Sequence, residues 1–298
     1  MSAADARIAA AIEAALGTRA EIRRRTSLGG GSINRTERLD TSLGSFVLKS
    51  NAAAPPGFFQ AEADGLRAIA SSGTSLLIPR VVACGDDDAP FLLLDDLGDG
   101  SRTRDFDEGL GRGLAQLHRA STARFGFARD NFCGTTPQPN PWTDRWVDFY
   151  AASRLGFQAR LARDAGRLSS RESAALDRLI AKLGDWIDEP PEGPALIHGD
   201  LWSGNVHVTA AGAPAIIDPA VSYAHREAEL GMMTLFGGFS SRVFAAYNEA
   251  FPLEPGWQDR NALYQLYHLL NHLNLFGDGY KGGVTRMVLG FSVLGSGF

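Results

Sequence analysis

Cysteine is scarce in this chain: two among 298 residues, Cys84 and Cys133. Two are too few for a disulfide framework, and they lack metal-clamp spacing. That sparsity fits a reducing cytosol, so a cytoplasmic location is expected. Charge of one sign is scarce as well. Lys and Arg number 29 against 34 Asp and Glu, a formal net charge of −5. No broad basic field is present for nucleic acid or an anionic membrane, and neither is expected as a partner. A local basic spot around phosphates remains compatible with that balance. No apolar run reaches the roughly 18 residues that a membrane-spanning helix needs. The N-terminal run to Leu16 is interrupted by Asp5, Arg7 and Glu13 and does not read as a signal peptide. There is no internal repeat. The absence of G-x-x-x-x-G-K-[ST] sets aside P-loop kinases, and the absence of G-x-S-x-G sets aside α/β-hydrolases. What is present is a globular composition, 44 % hydrophobic, with length for one large or two small domains.

Along the chain, Ile8, Ile12 and Leu16 recur at helical spacing and Gly17 stops them, which predicts a helix over 5–16. Strands are expected over 21–28 and 35–40, flanking Gly29-Gly30-Gly31-Ser32-Ile33-Asn34. That glycine run is either an ordinary hairpin turn or a loop whose backbone N–H groups approach an anion. Ser45 to Ser50 alternates as a strand and carries one Lys, Lys49, in an apolar run. Lys49 is either an edge-strand charge or a phosphate-binding lysine. An Ala/Pro-rich loop leads to a helix over 58–72 that bears Glu62, either a solvated charge or the partner of Lys49. Strands over 78–85 and 91–94 surround the solvated acidic turn Asp86-Asp87-Asp88. Asp95-Asp96-Leu97 and the acidic, Gly-rich residues after it read as a hinge. They divide a β-rich lobe, residues 1–96, from a mostly helical lobe, residues 97–298. The second lobe turns mostly helical from Arg104: Leu110, Leu114 and Leu117 lead one helix to His118, and further helices are expected over 142–163 and 170–187, from Tyr223 onward, and over 240–250 and 261–276. A long irregular segment over 125–142 is of the kind that carries function. His118 reads as a structural residue. His268 and His272 stand at i, i+4, but no Glu follows His268 as in a zinc-protease helix, so they read as core or surface polar residues.

The stretch with chemical content is Leu196 to Asn205, L-I-H-G-D-L-W-S-G-N, followed by A-I-I-D-P over 215–219. H-G-D by itself is also a common turn. The spacing H-x-D-x-x-x-x-N with a later Asp at the end of an apolar strand matches the needs of phosphoryl transfer. One carboxylate, Asp200, takes the proton of the acceptor hydroxyl, and Asn205 and Asp218 hold magnesium.

The order of glycine loop, Lys49, Glu62, hinge, H-G-D-L-W-S-G-N and I-D-P resembles the aminoglycoside-phosphotransferase branch of protein-kinase-like folds. Within that branch, I-D-P-A-V-S-Y-A-H-R-E-A-E-L, F-G-G-F-S and L-Y-Q-L-Y-H-L-L-N-H-L-N-L-F-G resemble the fructosamine kinase (ketosamine-3-kinase) family over nearly the whole chain. The resemblance implies a two-lobed α+β fold and ATP with Mg2+ as cofactors. It implies phosphorylation of the 3-hydroxyl of ketosamines, as small molecules or on glycated proteins. The 3-phosphate then eliminates and frees the amine, which amounts to deglycation. Ribulosamines or erythrulosamines are favoured over fructosamines on this resemblance. It further implies Asp200 as base, Asn205 and Asp218 on the metal, and Lys49 with Glu62 on the α- and β-phosphates. Gly29, Gly30, Gly31 and Ser32 would cover the phosphates, and the backbone of Asp95, Asp96 and Leu97 would receive adenine. Trp202 either packs on the sugar or braces the loop, and Tyr223, His225 and Glu229 either contact substrate or brace it. Ser32 departs from members with a cysteine in the glycine loop, which leaves redox control there open. The rival readings are a kinase for an aminoglycoside, choline or homoserine, and a non-catalytic nucleotide binder.

Overall fold

The computed structural model describes residues 3–29, 33–86 and 89–294. Gly30, Gly31 and Ser32 lie outside the described residues, as do Asp87 and Asp88. The first part contains α1 (Ala3–Leu16), β1 (Ile22–Ser27), β2 (Arg35–Thr41), β3 (Gly44–Ser50), α2 (Phe58–Ala70), β4 (Val81–Gly85) and β5 (Phe91–Asp95). The strands make one antiparallel sheet in the order β1-β2-β3-β5-β4. Its two faces follow from the period of two along a strand. Phe46, Leu48 and Leu93 point to α1 and meet Ile8 and Ile12. Leu92 and Leu94 point to α2 and meet Phe59, Ala63 and Leu66. Lys49 alternates with Leu48 and sits opposite Leu92, so register alone delivers its side chain to the α2 face.

The second part begins with α3 (Phe106–Leu117), the small hairpin of β6 (Asn131–Cys133) and β7 (Thr136–Gln138), and a long helix in three pieces. Those pieces are α4 (Trp146–Phe149), a wide π-helical stretch (Tyr150–Gly156) and α5 (Phe157–Asp164). There follow α6 (Ser170–Ala181), β8 (Ala195–Ile197), β9 (Val206–Val208), β10 (Pro214–Ile216) and β11 (Ser222–Ala224). The chain closes with α7 (Glu227–Leu235), α8 (Ser241–Ala250), α9 (Trp257–Phe276) and α10 (Lys281–Leu294). Strand β8 pairs with β11, and β9 with β10. One core gathers Trp146, Tyr150, Leu176, Tyr264 and Leu270. A second gathers Leu114, Leu196, Leu201, Ile216, Val221 and Leu230, directly beneath the H-G-D stretch. Among the described residues no helix is long and apolar enough to cross a membrane.

Three expectations are corrected. The helix expected from Trp142 starts at Trp146, because Thr143 pairs through its backbone with Phe125 in both directions at 2.9 Å. The distant Glu189 then caps it, accepting from the N–H groups of Trp146 and Val147 at 2.6 and 3.3 Å. The helix expected from Tyr223 starts at Glu227, since Ser222–Ala224 is a strand whose backbone serves β8. The expected strand over 78–85 is shorter, because Leu77 is tied to Ala215 by a parallel bridge instead of to the sheet. The C-terminal α10 was not foreseen. Its sequence is rich in glycine, and it holds through Val284 and Val288, both fully buried one turn apart.

Candidate active site

The H-G-D stretch is anchored at both ends by core burial. Leu196 and Leu201 are 1 % and 0 % exposed, and burying one such side chain stabilises by roughly 1.5–3 kcal/mol. Between them the backbone turns sharply at Gly199, with φ +84°, where a Cβ would stand 2.1 Å from the Ala220 carbonyl oxygen. An L side chain is excluded on both counts. The His198 ring is buried, and burial pushes its pKa down. The neutral ring donates from Nε2 to the Ile217 carbonyl at 2.8 Å and accepts the Asp200 N–H at Nδ1 at 3.3 Å. His198 therefore ties the Asp200 backbone to the segment that carries Asp218.

Glu229 completes this support from α7. It is fully buried, and its carboxylate accepts the N–H groups of His198 at 2.5 Å and Gly199 at 3.1 Å. Burial works against its charge, but the neighbouring His118 and His198 and the backbone donors outweigh it and hold the carboxyl below its ordinary value. A charged carboxylate behind the loop thus fixes two consecutive peptide units. His225 is also behind the loop, buried among Trp146 and Tyr264, and burial with Arg226 and Arg260 nearby pushes it down to about 3. Tyr223 lies on β11 beside Trp142 and Phe127. None of Tyr223, His225 and Glu229 lines the cavity onto which Asp200 opens.

After Asp200 the chain makes a tight turn. Trp202 N–H donates to the Asp200 carbonyl at 3.0 Å and Asn205 N–H to the Trp202 carbonyl at 2.9 Å. The Asn205 side-chain Nδ2 also donates to the Asp200 carbonyl, at 2.8 Å, which leaves its amide oxygen as the available ligand atom. The Trp202 ring folds over Gly204, where a Cβ would meet it at 2.1 Å, and remains 39 % exposed. Asp218 adopts φ +59°, and among the described residues it is the non-glycine residue with positive φ. Such strain is concentrated at functional sites.

Lys49 crosses from the sheet to this loop. Its Nζ donates to Glu62 on α2 at 2.5 Å and to Asp218 at 2.8 Å. Burial opposes the Lys49 charge, but Asp218 and Glu62 outweigh it and raise the pKa above the ordinary lysine value. All three groups open on one cavity of about 500 Å³, which Asp200, Trp202 and Asn205 also line. Desolvation, then the charges of Asp218 and Glu229, push the Asp200 carboxyl well up. A carboxylate of raised basicity facing a cavity is suited to accept a proton.

The hinge residues do something different from lining that cavity. Asp95 pairs with Arg80 at 2.9 Å, and Asp96 with Arg38 at 2.5 Å. Leu97 carbonyl accepts the Ala210 N–H at 2.9 Å. These contacts set the connector between sheet and helices. Gly29 is described and carries no tertiary contact at its Cβ position.

The cavity is also lined by an aromatic group: Phe236, His272, Phe276 and Tyr280 lie together, with the His272 ring 4.9 Å from Phe236, 5.5 Å from Phe276 and 4.9 Å from Tyr280. Phe236 and Phe276 are 44 % and 52 % exposed. His272, Phe276 and Tyr280 recur every four residues, a signal that spacing alone carried.

This arrangement corresponds to a known group of proteins. The sequence profile described as fructosamine kinase matches residues 4–291. The chain belongs to the fructosamine kinase family. A probable ketoamine kinase of Synechocystis is 41 % identical over 283 residues, covering 94 % of each chain. The chloroplastic protein-ribulosamine 3-kinase of Oryza sativa subsp. indica is 38 % identical over 271 residues, covering 88 % of this chain and 77 % of its own. A crystal structure from Thermobifida fusca, described provisionally as a fructosamine-3-kinase, superposes with a TM-score of 0.85 at 32 % identity, over 94 % of this chain and 96 % of that one. An aminoglycoside phosphotransferase superposes with a TM-score of 0.60 at 19 % identity, over 97 % of this chain and 100 % of that one, which shows the shared kinase-like fold.

Proposed function

We propose that this protein is an ATP-dependent kinase for the 3-hydroxyl of ketosamines, with Asp200 as the base. The observation that carries the reading is one cavity lined by Asp200, Asn205 and the Lys49–Asp218 pair, in a chain of the fructosamine kinase family. Asp200 accepts the proton of the acceptor hydroxyl as that oxygen bonds to the γ-phosphorus and ADP leaves. Lys49, held by Glu62, neutralises the α- and β-phosphates. Asn205 and Asp218 offer an amide oxygen and a carboxylate, hard donors that suit Mg2+. Bound there, the ion supplies neutralisation of phosphate charge. The strained backbone of Asp218, an ordinary residue held in a glycine-like conformation, fits a ligand that must be aimed.

Substrate class follows from the rest of the cavity. Its lining carboxylates are Glu62, Asp200 and Asp218; two already pair with Lys49 and the third is the base. A polycationic aminoglycoside finds no further acidic wall among the described residues. Trp202 offers a flat face to the apolar side of a sugar. The cup of Phe236, His272, Phe276 and Tyr280 suits the aliphatic stem and secondary ammonium of an amine adduct. The acceptors on this reading are small ketosamines and glycated protein lysines, with ribulosamines and erythrulosamines ahead of fructosamines. Elimination of the 3-phosphate then frees the amine.

The test offers ribuloselysine, fructoselysine and kanamycin with Mg-ATP, following ADP release and the position of the new phosphate by NMR. Phosphate on the ketosamine C3 oxygen, with later release of lysine, is the expected result. Turnover of kanamycin with neither ketosamine would overturn it.

A further inference from the structure

Three side chains distant in sequence meet beside the catalytic loop. One ligand atom each from Cys133, Asp200 and His268 lies within 4.8 Å of the other two. Cys133 ends β6, Asp200 follows β8, and His268 is in the middle of α9. Cys133 and His268 are 2 % and 3 % exposed. The second observation concerns His268 by itself. Its Nδ1 is buried and has no hydrogen-bond partner among the described residues, a condition that folded proteins rarely leave without a reason. Burial, with His272 and Arg154 nearby, pushes its pKa down to about 3, so the ring is neutral with a nitrogen lone pair to give. The Cys133 sulfur accepts a hydrogen bond from Asn271 Nδ2 at 3.2 Å; burial and the Asp200 carboxylate push the free thiol well up, so the proton leaves only when a cation takes its place.

We propose that Cys133, His268 and Asp200 form a binding site for a thiophilic divalent cation of the Zn2+ class, and that its occupancy switches the kinase off by occupying the Asp200 carboxylate. Sulfur, imidazole nitrogen and carboxylate oxygen are the donors that Zn2+ takes. Mg2+ prefers oxygen donors and stays with Asn205 and Asp218. Donors around a tetrahedral zinc ion stand about 3.5 Å apart, given bonds of about 2.0–2.3 Å. Small side-chain rotations therefore close this trio on one ion, and water takes the fourth position. On binding, the thiol proton leaves to solvent and a metal–sulfur bond forms; nothing is oxidised or reduced. The Asp200 oxygen then bonds to the metal and no longer accepts the proton of a substrate hydroxyl. The loss of activity rests on the reading of Asp200 as the base; metal binding by the trio does not.

The experiment uses the full chain with Co2+ and Zn2+ as probes. Wild type is expected to show a thiolate-to-cobalt charge-transfer band, and Cys133→Ser to lack it. Zn2+ affinity, measured by competition with a chromophoric chelator, is expected to fall by about tenfold or more in Cys133→Ser and in His268→Gln. In excess Mg2+, Zn2+ is expected to inhibit phosphoryl transfer by wild type at a concentration at least about tenfold below that needed for Cys133→Ser. Absence of the band in wild type overturns the proposal. So does equal Zn2+ affinity in wild type and both variants, or inhibition of wild type and Cys133→Ser at the same Zn2+ concentration. His268→Gln keeps the binding test decisive where Cys133→Ser fails to fold.

Discussion

At the scale of single residues, the site divides into groups that face the cavity and groups that hold them. Asp200 faces it, and its carboxyl is raised by desolvation, Asp218 and Glu229. Asp200→Asn is expected to keep the fold and nucleotide binding while lowering turnover by about 10²–10⁴; steady-state kinetics beside circular dichroism measures both. A variant that retains half the wild-type rate removes Asp200 from the role of base. Phe276 also lines the cavity and is 52 % exposed. Phe276→Leu keeps apolar area but removes the π face. It is expected to raise KM for ribuloselysine by about twofold to thirtyfold, as for a cation–π contact worth about 0.5–2 kcal/mol, with kcat nearly unchanged. An unaltered KM means that the amine end of the substrate does not rest there. The H-G-D-x-x-x-x-N spacing made Asp200 and Asn205 legible in the sequence. It carried no information on Tyr223, His225 and Glu229, because their two readings differ only in which way a side chain points.

At the scale of elements, periodic segments were legible and composite ones were not. α1, α2 and the five-stranded sheet follow from local patterning. The start of α7 did not, because the pairing of β11 with β8 overrides a helix-forming sequence. Helix α6 shows how an element end is secured. The Ser169 side chain accepts the Glu172 N–H at 3.2 Å, and Glu172 accepts the Ser169 N–H at 2.8 Å and a hydrogen bond from Thr285 of α10. Burial works against the Glu172 charge, yet these donors and Lys281 hold the carboxyl at about 2, against an ordinary value of 4.5. A depressed folded-state pKa contributes stability that is present above the unfolded value and is lost as pH falls through the folded one. Glu172→Gln is therefore expected to destabilise by about 1–2 kcal/mol near neutral pH. The gap to wild type should narrow as pH falls from about 4.5 towards 2. Denaturant titrations at several pH values test this, and a gap that widens in acid contradicts it.

At the scale of the whole molecule, Lys49 is one link between the sheet and the helical part, through Glu62 on one side and Asp218 on the other. Ligand that bridges the two parts stabilises both. At a hundredfold excess over its Kd, Mg-ATP is expected to stabilise wild type by about 2.7 kcal/mol. Lys49→Met is expected to lose most of the resulting thermal shift, and Glu62→Ala less of it. Wild-type shifts in both variants place the nucleotide elsewhere. What the sequence by itself determined is what neighbouring residues encode: the alternation that sends Lys49 to the α2 face, the helix that carries Glu62, and the spacing of Asp200, Asn205 and Asp218. Tertiary structure alone decided the rest. It put Glu229 behind the loop, gathered Phe236 with His272, Phe276 and Tyr280 on one cavity, and set Cys133 and His268 against Asp200. Those groupings depend on which distant segments pack together, and packing selects on shape and burial summed over many contacts, so no local period records it.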